Sequence, residues 1–340
     1  MAMVKTCVVD VNAGRLALEC RQGMTLFAAL RTHKVYLPTG CGARGLCGQC
    51  RVTLLGGEAN AHTDSEKNKL GADELAAGVR LGCQLRLSGD IKVWIPEHVF
   101  GAREYQAVAA DITPLTRDIS RFGFKLAAGD RIPHRAGQFI NFVAKPYADV
   151  KERAIRCFSL ATPSDVEDRI DIIVRRTPNG IGTAYLFDHL KAGDDAAFIA
   201  PFGEFCLRDT DAPCVWIAGG SGLAPFLGMF QDLVNKGITN REVTLFFGAV
   251  NPEDLYYVDE LRAAAAKHPW FRYIPALSGS ARCEACADYG LITDVVANRL
   301  PDAAGREAYL CGSPGMIGAC IKVLVAKGVA QENIFFDRFG

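Results

Sequence analysis

The 340-residue sequence has no surplus of either charge, since 38 Lys and Arg stand against 38 Asp and Glu. Without a basic excess, a grip on nucleic-acid phosphates has no electrostatic basis. No uncharged apolar run approaches the roughly 18 residues that cross a bilayer. The opening MAMVKTCVVDVNAGRL also lacks the continuous apolar stretch of a secretion signal. That opening predicts a mature chain beginning where the sequence does, and thirteen cysteines without such a signal predict a reducing, cytoplasmic location. Histidine is sparse, and none of the six is paired as a metal ligand or a general base requires. No internal repeat, low-complexity tract or long charge run is present. The chain as a whole, 22% charged and 49% hydrophobic, has the composition of a globular protein and is long enough for two or three domains.

Four of the cysteines are ordered as a cluster site requires. Residues 37–52 read LPTGCGARGLCGQCRV, with Cys41, Cys47 and Cys50 among Gly40, Gly42, Gly45 and Gly48, and Cys83 follows in RLGCQ. Glycines let the backbone wrap closely and aim N–H groups at sulfur, as thiolates around iron demand. A plant-type [2Fe-2S] site spaces its ligands C-x4-C-x2-C with a remote fourth cysteine, whereas five residues separate Cys41 from Cys47. The extra residue removes no ligand and adds no proline. Zinc is the rival, but it favours paired C-x2-C knuckles or nearby histidine, and of these four only Cys47 and Cys50 form such a knuckle while Cys83 stands alone. A second C-x2-C, Cys283 and Cys286, has neither a partner pair nor a histidine. It and the remaining cysteines read as small apolar residues.

Hydrophobic patterning divides the chain into three parts. Short strands over Thr6–Val11, Arg15–Glu19, Arg51–Leu55 and Ile91–Ile95, with a helix over Thr25–Thr32, form a small mixed unit, and residues 97–104 read as a linker. Strands over Tyr105–Ala110, Arg121–Leu126, Gln138–Val143, Arg156–Leu160 and Arg169–Val174 predict an antiparallel barrel. From Cys214 the order becomes strand, helix, strand, which predicts a parallel sheet with crossovers. Helices are expected over Phe226–Lys236, Leu255–His268 and Met316–Lys327, before a closing strand at Asn333–Phe336. The expected domains are 1–98, 103–208 and 210–340.

Strand Val215–Ala218 runs straight into Gly219, Gly220, Ser221 and Gly222 and then a helix. That arrangement offers backbone N–H groups and a positive helix end to a pyrophosphate. It is not G-x-G-x-x-G, and a glycine turn needed only for packing is the competing reading.

With the barrel added, residues 103–340 resemble the ferredoxin-NADP reductase superfamily. Arg156-Cys157-Phe158-Ser159 resembles its flavin-binding R-x-Y-S. By that resemblance Arg156 neutralises flavin phosphate, Phe158 packs on the isoalloxazine and Ser159 hydrogen-bonds near its N5, with Phe in place of Tyr costing one hydroxyl. Gly180, Gly182 and Thr183 match a G-x-x-S/T-x-x-L stretch, which implies a second phosphate site and hence FAD rather than FMN. Alone, Thr183 reads as a helix N-cap. Gly137-Gln138-Phe139 and Ala200-Pro201-Phe202-Gly203 match two further family turns, though in isolation Phe139 and Phe202 read as core rather than as flavin contacts. Cys311-Gly312-Ser313-Pro314 resembles C-G-P-P, whose cysteine lies beside the nicotinamide C4. A strand cysteine can also be simply buried and inert.

The loop after strand Val243–Phe247 carries Glu253 and Asp254 and no cation for a 2′-phosphate. This points to NADH, although either carboxylate can serve as a first-turn helix residue. The N-terminal part also resembles the F subunit of the sodium-pumping NADH:quinone oxidoreductase, sharing the five-residue gap, the CGQCRV run and a PE-x-VFG linker that PEHVFG at 96–101 matches. The closing FFDRFG is similar to reductase components of soluble multicomponent monooxygenases. The resemblance thus implies an NADH:acceptor oxidoreductase with a β-grasp [2Fe-2S] ferredoxin domain, a β-barrel FAD domain and an α/β NAD domain. Its electrons pass to a separate protein, the oxygenase component, with a respiratory partner as the alternative. A zinc-stapled nucleotide sensor is the reading from another class.

Overall fold

The computed structural model describes residues 5–279, 281 and 288–339. Cys283 and Cys286 lie outside the described residues. Backbone contacts divide the chain into two compact units. One comprises Met1–Gln106, Phe139–Cys157 and Ala196–Gly203, the other Ala107–Gln138, Phe158–Asp195 and Glu204–Gly340.

The first unit opens with strands β1 (Thr6–Val11) and β2 (Leu16–Arg21), paired antiparallel with Cys7 opposite Cys20. Asn12, Ala13 and Gly14 turn between them, all at positive φ. The Asn12 side chain locks this turn by donating to Ile95 O and accepting from Ile95 N, at 2.9 and 2.7 Å. Helix α1 (Leu26–Thr32) starts at Thr25, whose hydroxyl accepts from Ala28 N. After the cysteine loop come β3 (Arg51–Ala59), α2 (Asp64–Lys69), α3 (Ala72–Ala76), β4 (Val79–Leu81) and β5 (Leu87–Trp94). The sheet order is β2-β1-β5-β3-β4, with β1 and β5 parallel. This is the mixed sheet of a β-grasp fold, and its core includes Val9, Leu26, Leu30, Leu81, Leu85 and Val93. The expected linker at 97–104 is not one. Residues 97–101 form a 3₁₀ turn with Val99 buried, and a strand begins at Arg103.

Strands β6 (Arg103–Pro114), β7 (Ile119–Leu126), β8 (Phe139–Ala144), β9 (Ala154–Ser159), β10 (Arg169–Arg175) and β11 (Asp195–Phe202) make a curled six-stranded sheet of order β10-β7-β6-β11-β8-β9. Pairing is antiparallel between β10 and β7, β6 and β7, and β11 and β8. Helix α4 (Ile181–Ala184) follows β10 and continues as a π-turn over 185–189.

The rest of the second unit alternates β12 (Cys214–Gly219), α5 (Ala224–Asn235), β13 (Val243–Ala249), α6 (Val258–Lys267), β14 (Phe271–Leu277), β15 (Asp288–Tyr289), α7 (Ile292–Arg299), β16 (Glu307–Gly312), α8 (Pro314–Ala326) and β17 (Ile334–Arg338). The order is β15-β14-β13-β12-β16-β17, and every pairing is parallel. The run CVWIA of β12 is wholly buried, as a strand covered on both faces must be. The chain moves outward from β12 and returns beside it as β16. The strand order therefore reverses between these two, where parallel sheets bind ligands at their carboxyl ends.

Candidate redox and dinucleotide sites

The cysteine loop brings its thiols together as two pairs in the first unit. Cys41 hydrogen-bonds Cys47, and Cys50 hydrogen-bonds Cys83. The Cys47 S–H, with backbone N–H groups of Leu46, Cys47 and Arg44, pulls the Cys41 thiol down to about 4 against the penalty of burial. The Arg44 N–H lies 3.2 Å from its sulfur. Cys50, the Gln84 carboxamide and Gly45 N–H bring Cys83 to about 7, again against burial. Their partners Cys47 and Cys50 are driven up, first by sharing the hydrogen bond and then by burial. The loop thus already favours anionic sulfur at two positions, and thiolate is the form that binds metal. Two pairs suit two irons, so the donors fit a binuclear cluster. Gly45 is required here, since a Cβ would stand 2.7 Å from Gln84 Nε2 at a φ of +76°.

Strand β9 carries Arg156, Phe158 and Ser159. In the first unit Arg156 Nη1 lies 3.5 Å from where a Cβ on Gly42 would stand. Burial, then Arg44, lowers the affinity of this guanidinium for its proton, and it forms no ion pair among the described residues. A half-buried cation without a carboxylate is a place where a phosphate fits. In the second unit Ser159 is buried, and its hydroxyl donates to Asp337 Oδ2 at 3.0 Å. Asp337 pairs in register with Cys311, which is fully buried. Burial pushes the Asp337 carboxyl up to about 6, against the Ser159 hydrogen bond. Burial, then Asp337, pushes the Cys311 thiol well above its ordinary range.

The start of α4 is not capped by Thr183. Gly180 is the N-cap, while Thr183 Oγ1 accepts from Thr177 N at 3.2 Å and donates back to Gly180 O at 3.1 Å. This ties the turn Thr177–Gly180 against Gly182 and Thr183. A Cβ on Gly180 would strike Thr183 Oγ1 at 2.6 Å.

The turn Gly219–Gly222 ends β12 and lies against the end of β16. A Cβ on Gly222 would come within 2.2 Å of Cys311 O, and one on Gly312 within 3.4 Å of Gly219 O. The predicted Gly219, Gly220, Ser221, Gly222, Cys311 and Gly312 are therefore neighbours at the point where strand order reverses. Tyr256 OH donates to Gly220 O at 2.9 Å and fixes the turn. The sequence reading missed Arg175, whose Nη1 lies 3.0 Å from a Cβ built on Gly220. Asp118 orients it, with Oδ2 at 3.3 Å from Nε. It also missed Asp337, for which the lone acid between aromatics in FFDRFG was the available signal.

Asp254 caps the turn after β13, accepting from Asn251 N at 3.1 Å, while Glu253 is exposed. Phe202 is wholly buried and Phe139 packs beside it, with ring centres 5.7 Å apart, as core residues do.

Comparisons with known proteins show which domains the chain contains. Residues 9–88 match the 2Fe-2S iron-sulfur cluster binding domain, 107–206 the oxidoreductase FAD-binding domain and 216–322 the oxidoreductase NAD-binding domain. The F subunit of the Na(+)-translocating NADH-quinone reductase of Yersinia pestis (strain Pestoides F) is 30% identical across 97% of this chain and 93% of its own. Its counterpart from Neisseria meningitidis is also 30% identical, across 98% and 91%. The Amycolatopsis cytochrome P450 reductase GcoB superposes with a TM-score of 0.80 at 31% identity, covering 98% of this chain and 99% of that one. A ferredoxin reductase in carbazole 1,9a-dioxygenase shares the fold at a TM-score of 0.73, 21% identity and full coverage of both chains. The chain belongs to the family of NADH-dependent flavin and iron-sulfur reductases, a branch of the ferredoxin-NADP reductase superfamily with an N-terminal [2Fe-2S] ferredoxin domain. It is an oxidoreductase with FAD, a [2Fe-2S] cluster and NADH as cofactors. No helix among the described residues is long and apolar enough to cross a membrane.

Proposed function

We propose that this protein is the reductase component of an oxygenase system, delivering electrons from NADH to a separate oxygenase protein. The observation that carries the reading is the 31% identity to a cytochrome P450 reductase over nearly the whole of both chains. A flavin exchanges a hydride for single electrons, and a cluster releases them one at a time. The chain's part is to hold these groups, orient them and exclude water.

In this reading Cys41, Cys47, Cys50 and Cys83 ligate the cluster, and the N–H groups of the loop stabilise their charge. Arg156 holds flavin phosphate, Phe158 packs on the ring and Ser159 hydrogen-bonds near its N5. Gly180, Gly182 and Thr183 shape the turn at the flavin pyrophosphate. Gly219, Gly220, Ser221 and Gly222 receive the NADH pyrophosphate with Arg175, and Cys311 and Gly312 wall the nicotinamide. The proposed modules are 1–98, 103–208 and 210–340, and thirteen cysteines suit a reducing cytoplasm.

A second reading, service to a respiratory partner, rests on the 30% identity to the F subunit of the sodium-translocating reductase. Co-purification decides between them. Capture of an oxygenase from the source cell supports the first, and quinone-linked activity in a membrane fraction overturns it. The electron route is tested by Cys47→Ala. Reduction of cytochrome c should be abolished while ferricyanide reduction by NADH persists, and equal loss of both contradicts the modular route.

A further inference from the structure

Within the first unit, the loop that bears Cys41 and Cys47 meets strand β9 in a closely fitted contact at Gly40. A Cβ built on Gly40 would stand 2.9 Å from Cys157 Sγ, 3.2 Å from Gln49 Oε1 and 3.6 Å from Cys47 Cβ. Real Cβ atoms do not approach a neighbour to 2.9 Å, so Cys157 occupies the space that a side chain at position 40 would need. Gln49 Nε2 reaches the same sulfur at 3.7 Å. Its Oε1 is buried without a hydrogen-bond partner, so the carboxamide gives up one hydrogen bond to stay in this contact. The N–H of Gly40 meanwhile donates to Cys47 sulfur. A continuous path of contact therefore runs from Cys47 through Gly40 to Cys157, which sits between Arg156 and Phe158.

We propose that Cys157 is a positioning residue for electron transfer, seating the ligand loop on the strand that carries the flavin contacts, with Gly40 as the socket for its sulfur. The proposal rests on the reading that the four loop thiols hold the cluster and that β9 holds the flavin. Electron exchange falls steeply with separation, so a contact that fixes this loop against this strand sets the rate between the two groups. Cys157 itself touches neither reacting centre. Its thiol acts through packing against Gly40 and through the Gln49 carboxamide.

The test is a size exchange in the holoenzyme, read by stopped-flow bleaching of the cluster after NADH and by the electron paramagnetic resonance spectrum of the reduced cluster. Gly40→Ala should slow cluster reduction measurably, since electron exchange weakens with each increment of separation, and should alter the resonance. NADH-to-ferricyanide turnover should stay unchanged. Adding Cys157→Ala should restore both the rate and the spectrum, and Cys157→Ser alone should match wild type. If Gly40→Ala fails to load a cluster, Cys157→Val applies the same squeeze from the strand side and should slow cluster reduction likewise. Unchanged rate and spectrum in the enlarged variants, or a double variant as slow as Gly40→Ala, overturns the positioning role. A wild-type protein whose cluster does not bleach after NADH overturns instead the reading beneath it.

Discussion

Two buried arginine–glutamate pairs brace the two regions that carry chemistry, over very different spans of chain. In the first unit Arg80 and Glu66, 14 residues apart, meet at 2.8 and 3.1 Å, and Leu81 N donates to the same carboxylate at 3.0 Å. That bond lies two residues before Cys83. In the second unit Arg241 and Glu307, 66 residues apart, meet at 2.6 Å, and Tyr309 OH also donates to Glu307. Glu307 begins β16, the strand that ends at Cys311 and Gly312. The cluster region thus draws its four thiols and this brace from residues 41–83, whereas the dinucleotide region is gathered from strands scattered between β10 and β17. A local site depends on its own loop. A gathered site depends on the register of a whole sheet.

Breaking the braces should show this difference most strongly. Removing one partner of a buried pair leaves an uncompensated charge and costs about 3–5 kcal/mol. Glu66→Ala should therefore lower iron content while ferricyanide reduction by NADH continues. Glu307→Ala should abolish that flavin activity while leaving the cluster spectrum in place. Iron analysis and NADH titration of the two variants check this, and matching losses in both would erase the distinction.

Acid should act on the two regions with opposite sign. Burial opposes the charge of Glu66, but Arg80 and the N–H groups of Thr63 and Leu81 prevail and hold the carboxyl below its usual range. Its contribution is present at neutral pH and is lost as pH falls through that lowered value. Asp337 runs the other way, because its carboxyl is raised to about 6 by burial. The folded state then holds the proton more tightly than the unfolded state, so stability falls as pH rises from the ordinary aspartate range to about 6. Asp337→Asn should remove this dependence and gain about 3 kcal/mol above pH ~6, the equivalent of a shift of roughly two units. Thermal melting at acid and neutral pH checks it, and an unchanged gap between variant and wild type would contradict it.

The smallest effect expected is at Arg175. Arg175→Met should raise the KM for NADH about tenfold, the loss of one charge-assisted hydrogen bond, with kcat retained. Reduced nicotinamide mononucleotide, which has no pyrophosphate, should show no such change. Equal loss with both would remove Arg175 from the dinucleotide site and narrow the contrast between the regions.

The same contrast explains what the sequence made legible. Cysteine spacing and glycines announce the cluster loop because its residues are neighbours in the chain. Strand β1 and the buried run of β12 follow directly from alternation and from continuous apolarity. Strand order does not, since the adjacency of β12 and β16 depends on pairing across ninety-odd residues. Arg175 and Asp337 were hidden for that reason, one ending a strand of the curled sheet and the other in the last strand of the parallel sheet. Residues 64–76 hold α2, opened by the capping box of Thr63 and Glu66 with Glu66 meeting Arg80, and α3, where Glu74 accepts from Gly71 N. The linker expected at 97–104 failed because Val99 is buried in the core of the first unit.

Iron and acid-labile sulfide measured in protein isolated without oxygen test the central claim most directly. The paired arrangement of Cys41 with Cys47 and Cys50 with Cys83 predicts about two iron and two sulfide per chain. A single zinc with no sulfide would contradict it.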